Sequence, residues 1–141
     1  MADNYQLFSE MISGLTADEA EWIERMLGCD PEEPSILEEA GFDLKEIDLE
    51  YWPGFESELR NAEGEFWLYG DEYANVSHAG EFVRAFLAKF RSDQCWSLTW
   101  AETCSKPRVG EFGGGGLFVT AKEVTALNAT DWVNQQRQQF D

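Results

Sequence analysis

Trp96, Leu98 and Trp100 alternate with Ser97, Thr99 and Ala101. A period of two puts two indoles and a leucine on one face of a β-strand. Leu117, Phe118, Val119 and Thr120 form a second run of strand formers. A helical period governs two other stretches. In residues 16–27, Trp22, Ile23, Met26 and Leu27 share one face, Thr16 and Glu19 form a capping box, and Gly28 supplies a stop. In residues 77–91, Phe82, Val83, Phe86, Leu87 and Phe90 share a face, with Lys89 and Arg91 near the C-terminal end, where the helix dipole favours cations.

The remaining stretches read less uniformly. Residues 1–15 hold an apolar patch (Tyr5, Leu7, Phe8, Met11, Ile12, Leu15) that suits a strand or a helical turn. Residues 35–40 suit one helical turn ended by Gly41, after a turn that contains Pro31 and Pro34. Residues 42–51 show two interleaved period-2 registers, which predict a strand with a bulge. Residues 55–60 alternate after the Pro53-Gly54 turn, and residues 65–69 read as a buried strand that leads into a loop over 70–75. Lys122, Glu123 and Val124 read as the exit from the last strand. A closing helix is expected through Phe140, capped by Thr130 or Asp131, with Trp132, Val133 and Gln136 on one side.

Strands broken by a few helices define an α+β class: an antiparallel sheet with helices packed mainly on one face, in a single domain over residues 1–141. The expected core is Phe66, Leu68, Trp96, Leu98, Trp100, Phe118, Phe82, Phe86, Phe90, Trp22 and Ile23.

The candidate site is the polar, glycine-rich stretch between the two strand-like runs around Trp100 and Phe118. Its members are Cys104, Ser105, Lys106, Arg108, Phe112 and the four glycines Gly113, Gly114, Gly115 and Gly116. Four consecutive glycines are entropically costly unless the chain needs positive φ or a close approach. Two readings stay open. Lys106 and Arg108 with the glycine backbone would bind a small molecule or an anion, or the glycines form a bulge or cross closely over an aromatic ring. A phosphate-binding loop fits poorly, because the Gly-Lys-Ser/Thr ending is missing and a strand follows.

The segment Trp100-Ala101-Glu102-Thr103-Cys104-Ser105-Lys106-Pro107-Arg108, then Glu111-Phe112-Gly113-Gly114-Gly115, then Phe118-Val119-Thr120-Ala121 resembles a family of small uncharacterised bacterial and mobile-element proteins. The resemblance extends back to Phe66-Trp67-Leu68 and forward to Asp131-Trp132. It implies one compact domain and a loop typical of the group. It implies no activity and no catalytic residue.

Charge changes the picture more than any motif. The net charge is −18, and it is confined to one half. Residues 1–72 hold 21 of the 28 acidic residues and only Arg25, Lys45 and Arg60 as cations; residues 73–141 hold seven of each sign. Direct binding of nucleic acid is therefore disfavoured, because little is present to neutralise phosphates. A basic protein partner, or imitation of nucleic-acid charge, fits better; solubility alone is the plainer account. The alternation from Asp43 to Glu65 is expected to place many carboxylates on the wet face of a sheet.

Catalytic and metal chemistry find little support. Cys29, Cys95 and Cys104 lack metal-type spacing, Asp71-Glu72 lacks the EF-hand pattern, and neither metal nor cofactor is expected. The odd cysteine count suits a reduced, cytoplasmic chain, the acidic start Met1-Ala2-Asp3 does not read as a signal peptide, and no apolar run reaches the length of a membrane span. His78, the only histidine, would form a nucleophile–base dyad with Cys104 in a cysteine-dependent enzyme; otherwise it is a surface or capping-region residue. The oligomeric state is not legible at this level.

Overall fold

The computed structural model describes residues 4–72 and 74–140. The Met1-Ala2-Asp3 start and Tyr73 of the expected 70–75 loop lie outside the described residues. Six strands form one antiparallel sheet: β1 (Asn4–Ile12), β2 (Glu56–Arg60), β3 (Glu65–Gly70), β4 (Trp96–Cys104), β5 (Gly113–Val119) and β6 (Val124–Asn128), in the order β2-β3-β1-β4-β5-β6. The helices are α1 (Ala17–Leu27), α2 (Ser35–Glu39), α3 (Val76–Phe90) and α4 (Ala129–Phe140). The apolar patch of residues 1–15 thus resolves as a strand, and a central one, paired with β3 on one side and β4 on the other.

Strand periodicity sorts the core. Phe8 and Ile12 of β1, Phe66 and Leu68 of β3, Leu98 and Trp100 of β4, and Leu117 and Val119 of β5 share one buried face. Phe82 and Phe86 of α3 and Trp22 of α1 cover that face: Phe82 lies 5.8 Å from Phe66 and 5.6 Å from Trp22 between ring centroids. Gly80 lets α3 come down onto Leu117 and Val124. The capping box of α1 is present in full, with Glu19 N–H donating to Thr16 Oγ1 at 3.2 Å and Thr16 N–H to Glu19 Oε1 at 2.9 Å.

Several expectations are corrected. Residues 42–51 are not a bulged strand but two 3-10 turns, Leu44–Glu46 and Leu49–Tyr51, capped by the side chains of Asp43 and Asp48. The alternation came from acidic caps recurring every five residues, and β2 pairs with β3 instead. The wet sheet face therefore receives Glu56, Glu58 and Glu65, not the acidic residues from Asp43 to Glu50. Second, Lys122 and Glu123 do not leave the sheet; they turn it back into β6. The closing helix that follows is capped by Asn128, whose Oδ1 accepts the Asp131 N–H at 3.2 Å, rather than by Thr130 or Asp131. Third, Phe118 is not core: it sits between buried Leu117 and Val119, on the opposite face, and is 50% exposed. Trp96 and Phe90 are partly buried at the margin of the core.

The fourth correction concerns the glycines. They form the first half of β5 rather than a loop, and the true connection spans only residues 105–112. Gly115 lies opposite Trp100, and a Cβ there would stand 2.6 Å from the indole Cη2 and strike the Leu127 carbonyl. Gly114 has φ +148° and no room for a Cβ beside the Trp100 carbonyl. The glycines are thus explained by close approach of an aromatic ring and two neighbouring strands.

Candidate functional site

The nine residues of the expected loop site lie along one hairpin, from the end of β4 through the 105–112 connection into β5. Cys104 ends β4, opposite Asn4 of β1. Ser105, Lys106 and Arg108 are exposed in the 105–112 connection, while the four glycines run along β5. Phe112 lines a pocket of about 400 Å³ at this end of the sheet, together with Tyr5, Gln6, Glu72, Glu102 and Glu111. Neither Lys106, Arg108, Trp96 nor Trp100 lines it. Three carboxylates around the cavity oppose an anion there.

His78 is buried rather than superficial, with 1% of its surface exposed. Its Nε2 accepts the Asp48 N–H at 2.9 Å, so that nitrogen carries no proton, and Nδ1 donates to the Pro53 carbonyl at 3.1 Å. Both ring nitrogens are thereby committed to backbone groups, and neither is left to activate the Cys104 thiol. Cys29 is buried, and burial pushes its thiol up from its ordinary value. Among the described residues, no group of three or more His, Cys, Asp or Glu side chains is arranged to hold a metal ion.

The most organised polar feature is elsewhere. One turn beyond His78 on α3, Glu81 is also buried, and its Oε2 accepts the Asp43 N–H at 2.7 Å. Arg84 binds Glu81 through Nε at 2.6 Å and Nη2 at 2.7 Å, then reaches the Gly41 carbonyl at 2.7 Å. The hydrogen bond to Glu81 holds the Arg84 guanidinium above its ordinary value against the opposing effect of burial. Two buried side chains of one helix therefore grip the backbone N–H groups of Asp43 and Asp48. These are the residues whose carboxylates cap the next turns, accepting from Lys45 N–H at 3.0 Å and Glu50 N–H at 3.3 Å. Trp52 closes the far end by donating Nε1–H to the Met26 carbonyl at 2.9 Å.

The consequence for residues 43–50 is a set of exposed carboxylates on a fixed backbone, continuing an acidic span that begins in α1. Between Asp18 and Glu50 twelve carboxylates are exposed, with only Arg25 and Lys45 as cations in the same span. None of the twelve belongs to an ion pair among the described residues. The buried acid of this span, Glu19, is the one neutralised, by Arg91 at 2.8 Å. The concentration of acid was visible in the sequence. The anchoring by His78 and Glu81 was not, because each lies some 30 to 38 positions away from its partner.

Searches for related proteins find no family model, no curated protein and no solved structure that matches the chain. No described helix is long and apolar enough to cross a membrane.

Proposed function

We propose that this is a non-catalytic interaction protein whose acidic surface, formed by residues 18–50, engages a basic protein, in the manner of a nucleic-acid charge mimic. The observation that carries the reading is the combination of twelve exposed carboxylates, only Arg25 and Lys45 as cations within the same span of sequence, and, over residues 43–50, a backbone held by His78 and Glu81. Carboxylates kept only for solubility need no such frame. Pre-ordering lowers the entropic cost of presenting them to a partner. A dense negative field also speeds encounter with a cationic surface and repels nucleic acid itself.

The test uses a basic nucleic-acid-binding protein and duplex DNA as its ligand. The native chain is expected to displace the DNA, and displacement should weaken at raised salt. A variant with Glu21, Glu24, Glu38 and Glu39 all changed to Gln should displace it at least about tenfold less effectively. Equal displacement by the native chain and the variant would overturn the assignment to this surface.

A further inference from the structure

The C-terminal end of the sheet carries an apolar helix stripe and an uncharged sheet face that are both largely exposed among the described residues. All but Tyr51 of the large apolar side chains left exposed among the described residues lie between Val109 and Phe140. α4 buries none of its residues. At 100° per residue, Ala129, Trp132, Val133, Gln136 and Phe140 nevertheless fall on one stripe about 100° wide. Trp132 is 51% exposed and Phe140 91%. A helix with an apolar stripe needs a second layer against which to bury it.

The second of these surfaces belongs to the sheet. On the side away from α1, α2 and α3, the thirteen positions contributed by β1, β4, β5 and β6 include Leu7, Thr99, Phe118 and Leu127, and none is charged. That is a sharp departure for a chain in which 27% of residues are charged. The charges of this side sit on the far strands, with Glu56, Glu58 and Arg60 on β2 and Glu65 on β3.

α4 does not close this face in its own molecule, since it buries none of its residues. β6 ends at Asn128 and α4 begins at Ala129, with no residue between them. Folding a helix back over the sheet it has just left takes a connection of about 2–6 residues. A second copy meets the requirement without such a turn, because it offers the same face by symmetry. The electrostatics select it as well. Within residues 124–140 there is one acid, Asp131, and one base, Arg137, so the segment is neutral and glutamine-rich, as the sheet face is neutral and hydroxyl-rich. A strongly basic partner is drawn to the other half of the molecule. Two copies of a −18 chain repel each other least where the charge vanishes, and this is that region.

We propose that the chain forms a two-fold dimer in which each copy lays α4 across the uncharged β4–β6 face of the other. The exchange is reciprocal and closed, so it ends at two. α4 would span about 18 Å, against a width of about 10 Å across three strands, which lets the stripe cross Thr99, Phe118 and Leu127.

The experiment is sedimentation equilibrium on the full chain and on two complementary variants. The native chain of 16.1 kDa should sediment as a dimer. An arm variant, Trp132→Ser with Phe140→Ser, and a face variant, Thr99→Asp, should each raise the dissociation constant at least about tenfold. Asn61→Asp, which adds the same charge in an exposed turn, should leave the dimer intact. Near-UV circular dichroism checks that each variant keeps its packed core. Mixing the two defective variants is the decisive arm. The intact α4 of the face variant can seat on the intact face of the arm variant, so association should return in part. A monomeric native chain, dimers insensitive to both substitutions, or no recovery in the mixture would overturn the proposal.

Discussion

His78 Nε2 accepts the backbone N–H of Asp48 at 2.9 Å, across 30 positions of sequence. The same imidazole donates from Nδ1 to Pro53, so one buried ring pins both ends of the second 3-10 turn. Removing it leaves a buried donor and acceptor unpaired and opens a cavity. His78→Ala should therefore cost about 2–4 kcal/mol in denaturant unfolding. Hydrogen exchange at the Asp48 amide should lose its protection in the same variant. Retained protection at Asp48 would show that the ring does not hold this turn.

Glu19 and Arg91 join the start of α1 to the end of α3 through hydrogen bonds of 2.8 and 3.2 Å. Burial by itself raises the Glu19 carboxyl, but the hydrogen bond and charge of Arg91 and the Thr16 N–H outweigh it and hold the group below 4.5. A carboxyl depressed on folding contributes stability that is present above its unfolded value, near 4.5, and is lost as pH falls through the folded value. Glu19→Gln should accordingly flatten the acid limb of the stability–pH curve below about pH 4.5. Arg91→Ala strands a mostly buried carboxylate and should cost about 3 kcal/mol at pH 7.

Adjacent glycines of β5 should respond differently to the same change. Gly115→Ala drives a methyl group into Trp100 and the Leu127 carbonyl, and should destabilise the domain by about 2–4 kcal/mol. Gly116→Ala meets its nearest atoms at 3.5 and 3.9 Å, with no unusual φ, and should change stability by under about 1 kcal/mol, with a gain as easy as a loss. Thermal unfolding of the two variants side by side settles the contrast.

The cysteines offer a check on burial. Cys95 is exposed, whereas Cys29 is buried with its thiol raised and 3.6 Å from the Asp30 carbonyl. A thiol-specific reagent at pH 8 should label Cys95 rapidly and Cys29 only after unfolding. Rapid labelling of Cys29 in the native chain would contradict the packing around α1.

Much of the fold was legible where side chains carry a strict period. The alternation through Trp96, Leu98 and Trp100 placed β4, and the capping box at Thr16 placed α1. Legibility failed for specific physical reasons. Asp43 and Asp48 cap turns, yet their spacing among apolar residues mimicked a strand. The glycine run offers no side chains to set a register, so the parity that turns Phe118 outward was hidden until the pairing with β4 was known. β6 was lost because Lys122 and Glu123 look like an exit, although the Thr120 hydroxyl accepts both of their N–H groups and turns the chain back. The acidic surface was visible as composition. The frame that fixes its 43–50 part is tertiary and was not.

The most direct test of the acidic surface is capture of basic proteins from a cell lysate at about 50 mM and about 500 mM salt. It compares the native chain, the Glu21, Glu24, Glu38 and Glu39 to Gln variant, and the Lys106→Ala, Arg108→Ala variant. A partner held by the native chain and the loop variant at low salt, and released both by high salt and by the four glutamines, is the predicted result. A partner kept by the four-glutamine chain but lost with Lys106 and Arg108 would contradict the account and move the site to the 105–112 connection.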